Sequence, residues 1–176
     1  MNPKQLRQIF EKHFEFLEKK YGFFLVKEAS NSLSYEFWYK SNTVGIKLKF
    51  EFPDFYLFVK LCRLHNEDFP PKPGEIRPET QLESFDLDDV LTFRSKESLI
   101  PSYPVGTKFD KALLEYVVRK QAINLKKFAI DIIKGDFSLF PELDKIVKNR
   151  AKQAAFQKWG DKAADFGWNI ESNSSE

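Results

Sequence analysis

The spacing of apolar residues changes at Gly22, and that change constrains the fold more than any other feature. Before it, Leu6, Ile9, Phe10, His13, Phe14, Leu17 and Tyr21 recur at steps of three and four, one apolar stripe on an α-helix. Asn2 is placed to cap that helix and Pro3 suits its first position, where an N–H would have no partner. After Gly22 the period falls to two. Val44, Ile46, Leu48 and Phe50 alternate with Gly45, Lys47, Lys49 and Glu51, giving one buried face and one wet face.

Four segments carry this strand character: FFLVKEA, LSYEFWYK, VGIKLKFEF and DFYLFVKLCRL. Ser30-Asn31-Ser32, Ser41-Asn42-Thr43 and Pro53-Asp54 separate them. Breaks this short impose antiparallel pairing between neighbours. The sequence therefore predicts an α+β fold: a four-stranded antiparallel meander, with an N-terminal helix and C-terminal helices packed on one face.

Beyond the strands, HNEDFPPKPGEIRPET sustains neither a helix nor a central strand, and reads as an ordered loop anchored by Phe69 and Ile76. FDLDDVLTFR, from Phe85, reads as a short helix capped by Asp86, followed by a second loop, SLIPSYPVGTKF. Asp110 is expected to cap a long helix to Lys134, stopped by Gly135. Pro141 opens another, running to about Lys158, and DKAADFGW adds a further turn. Residues 1–168 read as one α+β domain and 169–176 as a polar, disordered tail.

A chain of 176 residues, 42% hydrophobic with 19 Phe, is long enough to bury a core without a staple. Its 28 basic and 26 acidic residues leave a net charge of +2, far from the concentrated positive field of a nucleic-acid binder. Nucleic acid is accordingly not the expected partner. A single Cys excludes an internal disulfide and a multi-Cys zinc site. Charges thread the N-terminus, unlike a signal peptide, and nothing approaches the roughly 20 apolar residues of a membrane span. The expected setting is the cytoplasm, without a membrane.

The sequence carries no recognisable catalytic, metal or nucleotide motif, and no cofactor is expected. His13 lies in an apolar stripe with no local carboxylate or second histidine on its face. His65 sits in a loop beside Glu67 and Asp68, a pairing that can serve as a general base, but no nucleophile motif accompanies it. Asp86, Asp88 and Asp89 lack calcium-loop spacing and are explained by helix capping. Cys62 reads as a packing residue. Basic residues from Lys126 to Lys158 interleave with acids, as on a solvated helix face.

The aromatic residues point to a surface. Tyr35, Phe37 and Tyr39 fall on one side of the second strand and Glu36, Trp38 and Lys40 on the other. In the fourth, Phe55, Leu57, Val59 and Leu61 oppose Tyr56 and Phe58. Apolar side chains on both faces exceed what one-sided packing needs. Either the proline-rich loop covers the second face or an aromatic patch stays open for a partner. Trp38, Tyr56, Phe58 and His65 are the candidate partner-binding residues.

The helix–meander–helices order is similar to that of small bacterial proteins of the immunity type, and KGDFSLFPELDKIVKNRAKQ resembles stretches in uncharacterised bacterial single-domain proteins. The resemblance implies stoichiometric binding of a protein and assigns no residue a role. The expectation is thus a non-enzymatic protein-binding domain that neutralises a toxin, with a homodimer as another use of the same face. The alternative is a small hydrolase-like or nucleic-acid-acting protein that uses His65 with acidic residues.

Overall fold

The computed structural model describes residues 3–95 and 110–168. Helix α1 (Pro3–Tyr21) leads into strands β1 (Phe24–Ser30), β2 (Ser34–Lys40), β3 (Val44–Glu51), β4 (Tyr56–Arg63) and β5 (Ser84–Asp86). Helices α2 (Leu87–Arg94), α3 (Lys111–Phe128), α4 (Ile130–Ile133) and α5 (Phe140–Trp159) follow, and a 3-10 segment spans Gly160–Phe166. The protein is α+β, with its strands in a single antiparallel sheet of order β1-β2-β3-β4-β5.

Among the described residues the sheet has five strands, not the four expected. The fifth, Ser84–Asp86, pairs with β4 through Lys60↔Asp86, Leu61↔Phe85 and Cys62↔Ser84. Three residues are too few to display an alternation, and only the return of the proline-rich segment brings them beside β4. The helix expected from Phe85 consequently begins at Leu87. Asp86 occupies its N-cap but makes no capping bond; its carboxylate lies 3.3 Å from Lys60 instead.

The period-two positions Tyr35, Phe37, Tyr39, Ile46, Leu48, Phe50, Leu57, Val59 and Leu61 are all buried on one side of the sheet. Against that side α1 sets its stripe: Phe10 stacks on Phe37 at 4.9 Å and meets Phe50 edge-on at 6.5 Å. Helix α3 adds Leu114, Val117, Val118 and Leu125, and Gln121 donates to the Leu57 carbonyl at 3.3 Å. Asp110 caps α3 as expected, accepting from the Leu113 N–H at 3.0 Å. The helix predicted to reach Lys134 instead breaks at Ala129, where Arg94 donates to the Phe128 carbonyl at 2.5 Å and grips Asp131. The second predicted loop and the polar tail lie outside the described residues.

Candidate functional site

Strand register sets a row of side chains across the outer face: Lys27 on β1, Trp38 on β2, Lys47 on β3, Lys60 on β4 and Asp86 on β5, each directly opposite the next. Lys47 therefore faces Lys60, and like charges opposed in a ladder are unfavourable. Asp86, at 3.3 Å, compensates Lys60. In the next row, Lys49 pairs with Glu51 at 2.5 Å, while Lys27 reaches Glu36 at 4.0 Å. Among the described residues, none supplies Lys47 with a carboxylate at ion-pair distance.

The proline-rich segment crosses above this row. Its Phe69 settles against Gly45, so close that a Cβ there would stand 2.3 Å from the Phe69 ring. The Phe69 and Trp38 rings lie 5.1 Å apart. Between them is the Lys47 ammonium, 4.1 Å from the Trp38 centroid and 4.8 Å from that of Phe69. Burial pulls the pKa of Lys47 below the ordinary lysine value, and the charges of Lys60 and Lys27 push the same way. The two rings oppose this by cation–π contact, and the charge of Glu36 acts in the same sense.

Pro70, Lys72 and Pro73 form the lip of a cleft of about 390 Å³ whose floor is this part of the sheet. That volume falls within the range of ligand pockets. Trp38 and Phe58 line the cleft, so two of the four expected partner-binding residues meet there. Phe58 is 37% exposed, and the loop leaves it open. Tyr56 stands beside it, ring to ring at 4.7 Å, with its hydroxyl bound to Asp88.

His65 lies apart from that cleft, 60% exposed at its side chain. Its acidic neighbour is not the adjacent Glu67 or Asp68 but Glu83, whose Oε1 is 3.6 Å from Nε2. Glu67 pairs with Lys40 at 3.5 Å, and Asp68 meets His65 through the backbone. Among the described residues no serine, threonine or cysteine is hydrogen-bonded to His65. Cys62 is fully buried, and burial pushes its thiol pKa up to about 11, the opposite of an activated nucleophile.

The remaining candidates disperse. Asp86 pairs with Lys60, Asp88 accepts from Tyr56, and Asp89 binds Arg150 at 2.7 Å. No group of three His, Cys, Asp or Glu residues is placed to hold a metal among the described residues. His13 does meet a carboxylate, Glu115 of α3 at 3.5 Å, which the local sequence of α1 could not reveal. A second depression of about 490 Å³ lies beside Arg63 and Phe137, but its lysines are matched: Lys145 with Glu142 at 2.8 Å, Lys148 with Asp144 at 2.9 Å. Among the described residues no helix is long and apolar enough to cross a membrane.

Lys47, Lys49 and Lys60 alternate as ordinary wet-face residues and Lys72 lies in the proline-rich loop, so none of them stood out in the sequence. The signal was the shared face of the three strand lysines with Trp38 and Phe58. It becomes a site only when the register and the crossing loop are added. In chemical terms, the cleft offers cations, carboxylates and ring faces. No family model, curated protein or solved structure matches the chain.

Proposed function

We propose that this is a non-enzymatic binding protein that captures a protein partner on the outer face of its sheet, in the manner of the immunity-type proteins whose element order it resembles. The observation that carries the reading is the open ring of Phe58 in one cleft with half-buried Trp38, among charged residues. An aromatic anchor within a charged rim is the usual composition of an interface centre. The protein acts by occupancy, and needs no cofactor.

Site-specific photo-crosslinking tests this in the cells that make the protein. Benzoylphenylalanine in place of Phe58 should give a discrete adduct with a protein, whether a distinct partner or a second copy. The same probe in place of Tyr116, exposed on α3, should not. Equal or absent adducts at the two positions would refute the surface.

The 3.6 Å approach of His65 to Glu83 favours the second reading, a hydrolase-like protein. There, His65→Ala would lower the rate by about 10²–10⁴. An exposed imidazole outside the cleft, with no serine, threonine or cysteine hydrogen-bonded to it among the described residues, gives that reading less support.

A further inference from the structure

We infer that the cleft takes one acidic side chain of an extended, otherwise apolar segment of the partner protein, with Lys47 as the counter-charge. This rests on the protein-binding reading and specifies its chemistry.

Three features converge on Lys47. It faces Lys60 across the ladder, a like-charge opposition that is unfavourable in the free protein. Lys60, Lys49 and Lys27 each have a carboxylate at ion-pair distance, whereas Lys47, among the described residues, has none and lies against the rings of Trp38 and Phe69. It also lines a cleft with room for a side chain, with Lys72, which has no ion pair among the described residues, on the opposite lip. A local conflict of this kind is expected where function overrides stability. An incoming carboxylate would relieve it.

The same geometry selects among anions. Glu36, Glu51 and Asp86 also line the cleft, so a chain of phosphates would meet three carboxylates along with the lysines. A single carboxylate brings one charge to Lys47, and so far less repulsion from the three than a chain of phosphates. Its neighbours in the partner would lie against Phe58, Pro70 and Pro73, which calls for apolar flanks.

Selection from a displayed random heptapeptide library tests the assignment directly. Peptides retained by the wild-type protein should share one Asp or Glu between apolar residues. Lys47→Met should weaken a selected peptide about tenfold or more, consistent with coupling between close charge pairs. Replacing the peptide's acid by its amide should cost the same factor, and the two changes together no more than either alone. Lys47→Met removes a poorly compensated charge, so it should melt no lower than wild type. Lys72→Ala, an exposed change, provides a second probe and should weaken the peptide by a smaller factor.

An empty selection, peptides without acids, or affinity insensitive to Lys47→Met would each overturn the proposal. So would Lys47-dependent binding of a dT20 oligonucleotide or of inorganic phosphate as tight as the peptide. If the library fails while crosslinking at position 58 still yields a protein, only the acidic-segment chemistry falls. If the crosslink fails as well, the binding surface falls with it.

Discussion

The Tyr56 hydroxyl lies 2.6 Å from Asp88 Oδ2, tying the first residue of β4 to the first turn of α2. Two neighbouring rings on the same face thus have different duties. Tyr56→Phe removes one donor from a half-buried carboxylate and is expected to lower stability by about 1–3 kcal/mol. Phe58→Ala removes an open ring and should cost under about 1 kcal/mol in the free protein, while reducing crosslinking or peptide binding. Urea melts of the two variants separate these outcomes. A large stability loss for Phe58→Ala would place that ring in the core.

Asp88 itself should respond to pH. Burial is the chief cause that raises its pKa above the ordinary 3.8, opposed by the Tyr56 hydrogen bond. The folded state therefore binds the proton more tightly than the unfolded chain. Its contribution to stability is greatest below 3.8 and declines as pH rises through the folded value. At pH 7 the ionised group therefore stabilises the fold less than its protonated form would. Asp88→Asn keeps an acceptor for Tyr56, so its melting temperature relative to wild type should be higher at pH 7 than near pH 4. A difference constant with pH would show that Asp88 has no raised pKa.

Much of this framework was legible because short-range rules dominated it. Gly22 takes a φ of 67° at the end of α1, and Ser41-Asn42-Thr43 makes the tight turn between β2 and β3. Other features depended on contacts that no window of sequence contains. Phe55 lies buried at a φ of 49°, a left-handed conformation adopted for packing against Phe50 at 5.1 Å. The break at Ala129 goes with Arg94, far away in sequence. Lys47 was legible as a wet-face residue and illegible as a site, because its isolation depends on Lys60, Phe69 and Asp86 arriving from three other segments.

His13 gives an acid-sensitive seam between α1 and α3. Its Nε2 is buried without a hydrogen bond; Glu115 at 3.5 Å is close but poorly placed to accept one. Burial lowers its pKa below the ordinary 6.5, with Glu115 opposing and Lys12 and Arg119 reinforcing the shift. The unfolded chain thus binds the proton more readily. Stability from the neutral imidazole is present above pH 6.5 and is lost as pH falls through the folded value. His13→Leu should add about 1 kcal/mol at pH 7 by removing the orphaned nitrogen. It should also flatten the acid side of the melting curve below pH 6.5. An unaltered slope would exclude His13 as its cause.

Gly45 controls whether the cleft has a lip. A Cβ on it would lie 2.3 Å from Phe69 Cε1 and 2.8 Å from Leu64 Cδ2, distances that force a displacement. β3 is paired along its length with β2 and β4 and is the stiffer body, so the crossing segment should give way. Gly45→Ala is expected to cost about 1–3 kcal/mol, in the range of overpacking changes. It should also lift Phe69 from Trp38. Once that ring is lifted, Lys47 loses one of its two cation–π contacts and gains water. The Trp38 indole N–H resonance should shift, and the Lys47 ammonium should titrate nearer the ordinary lysine value, with its burial reduced. Affinity for an acidic peptide selected on wild type should fall without any change to a contacting side chain. A Gly45→Ala protein with wild-type melting and an unmoved Trp38 signal would mean that Phe69 does not rest on Gly45 in solution, and that the cleft is not built by the crossing segment.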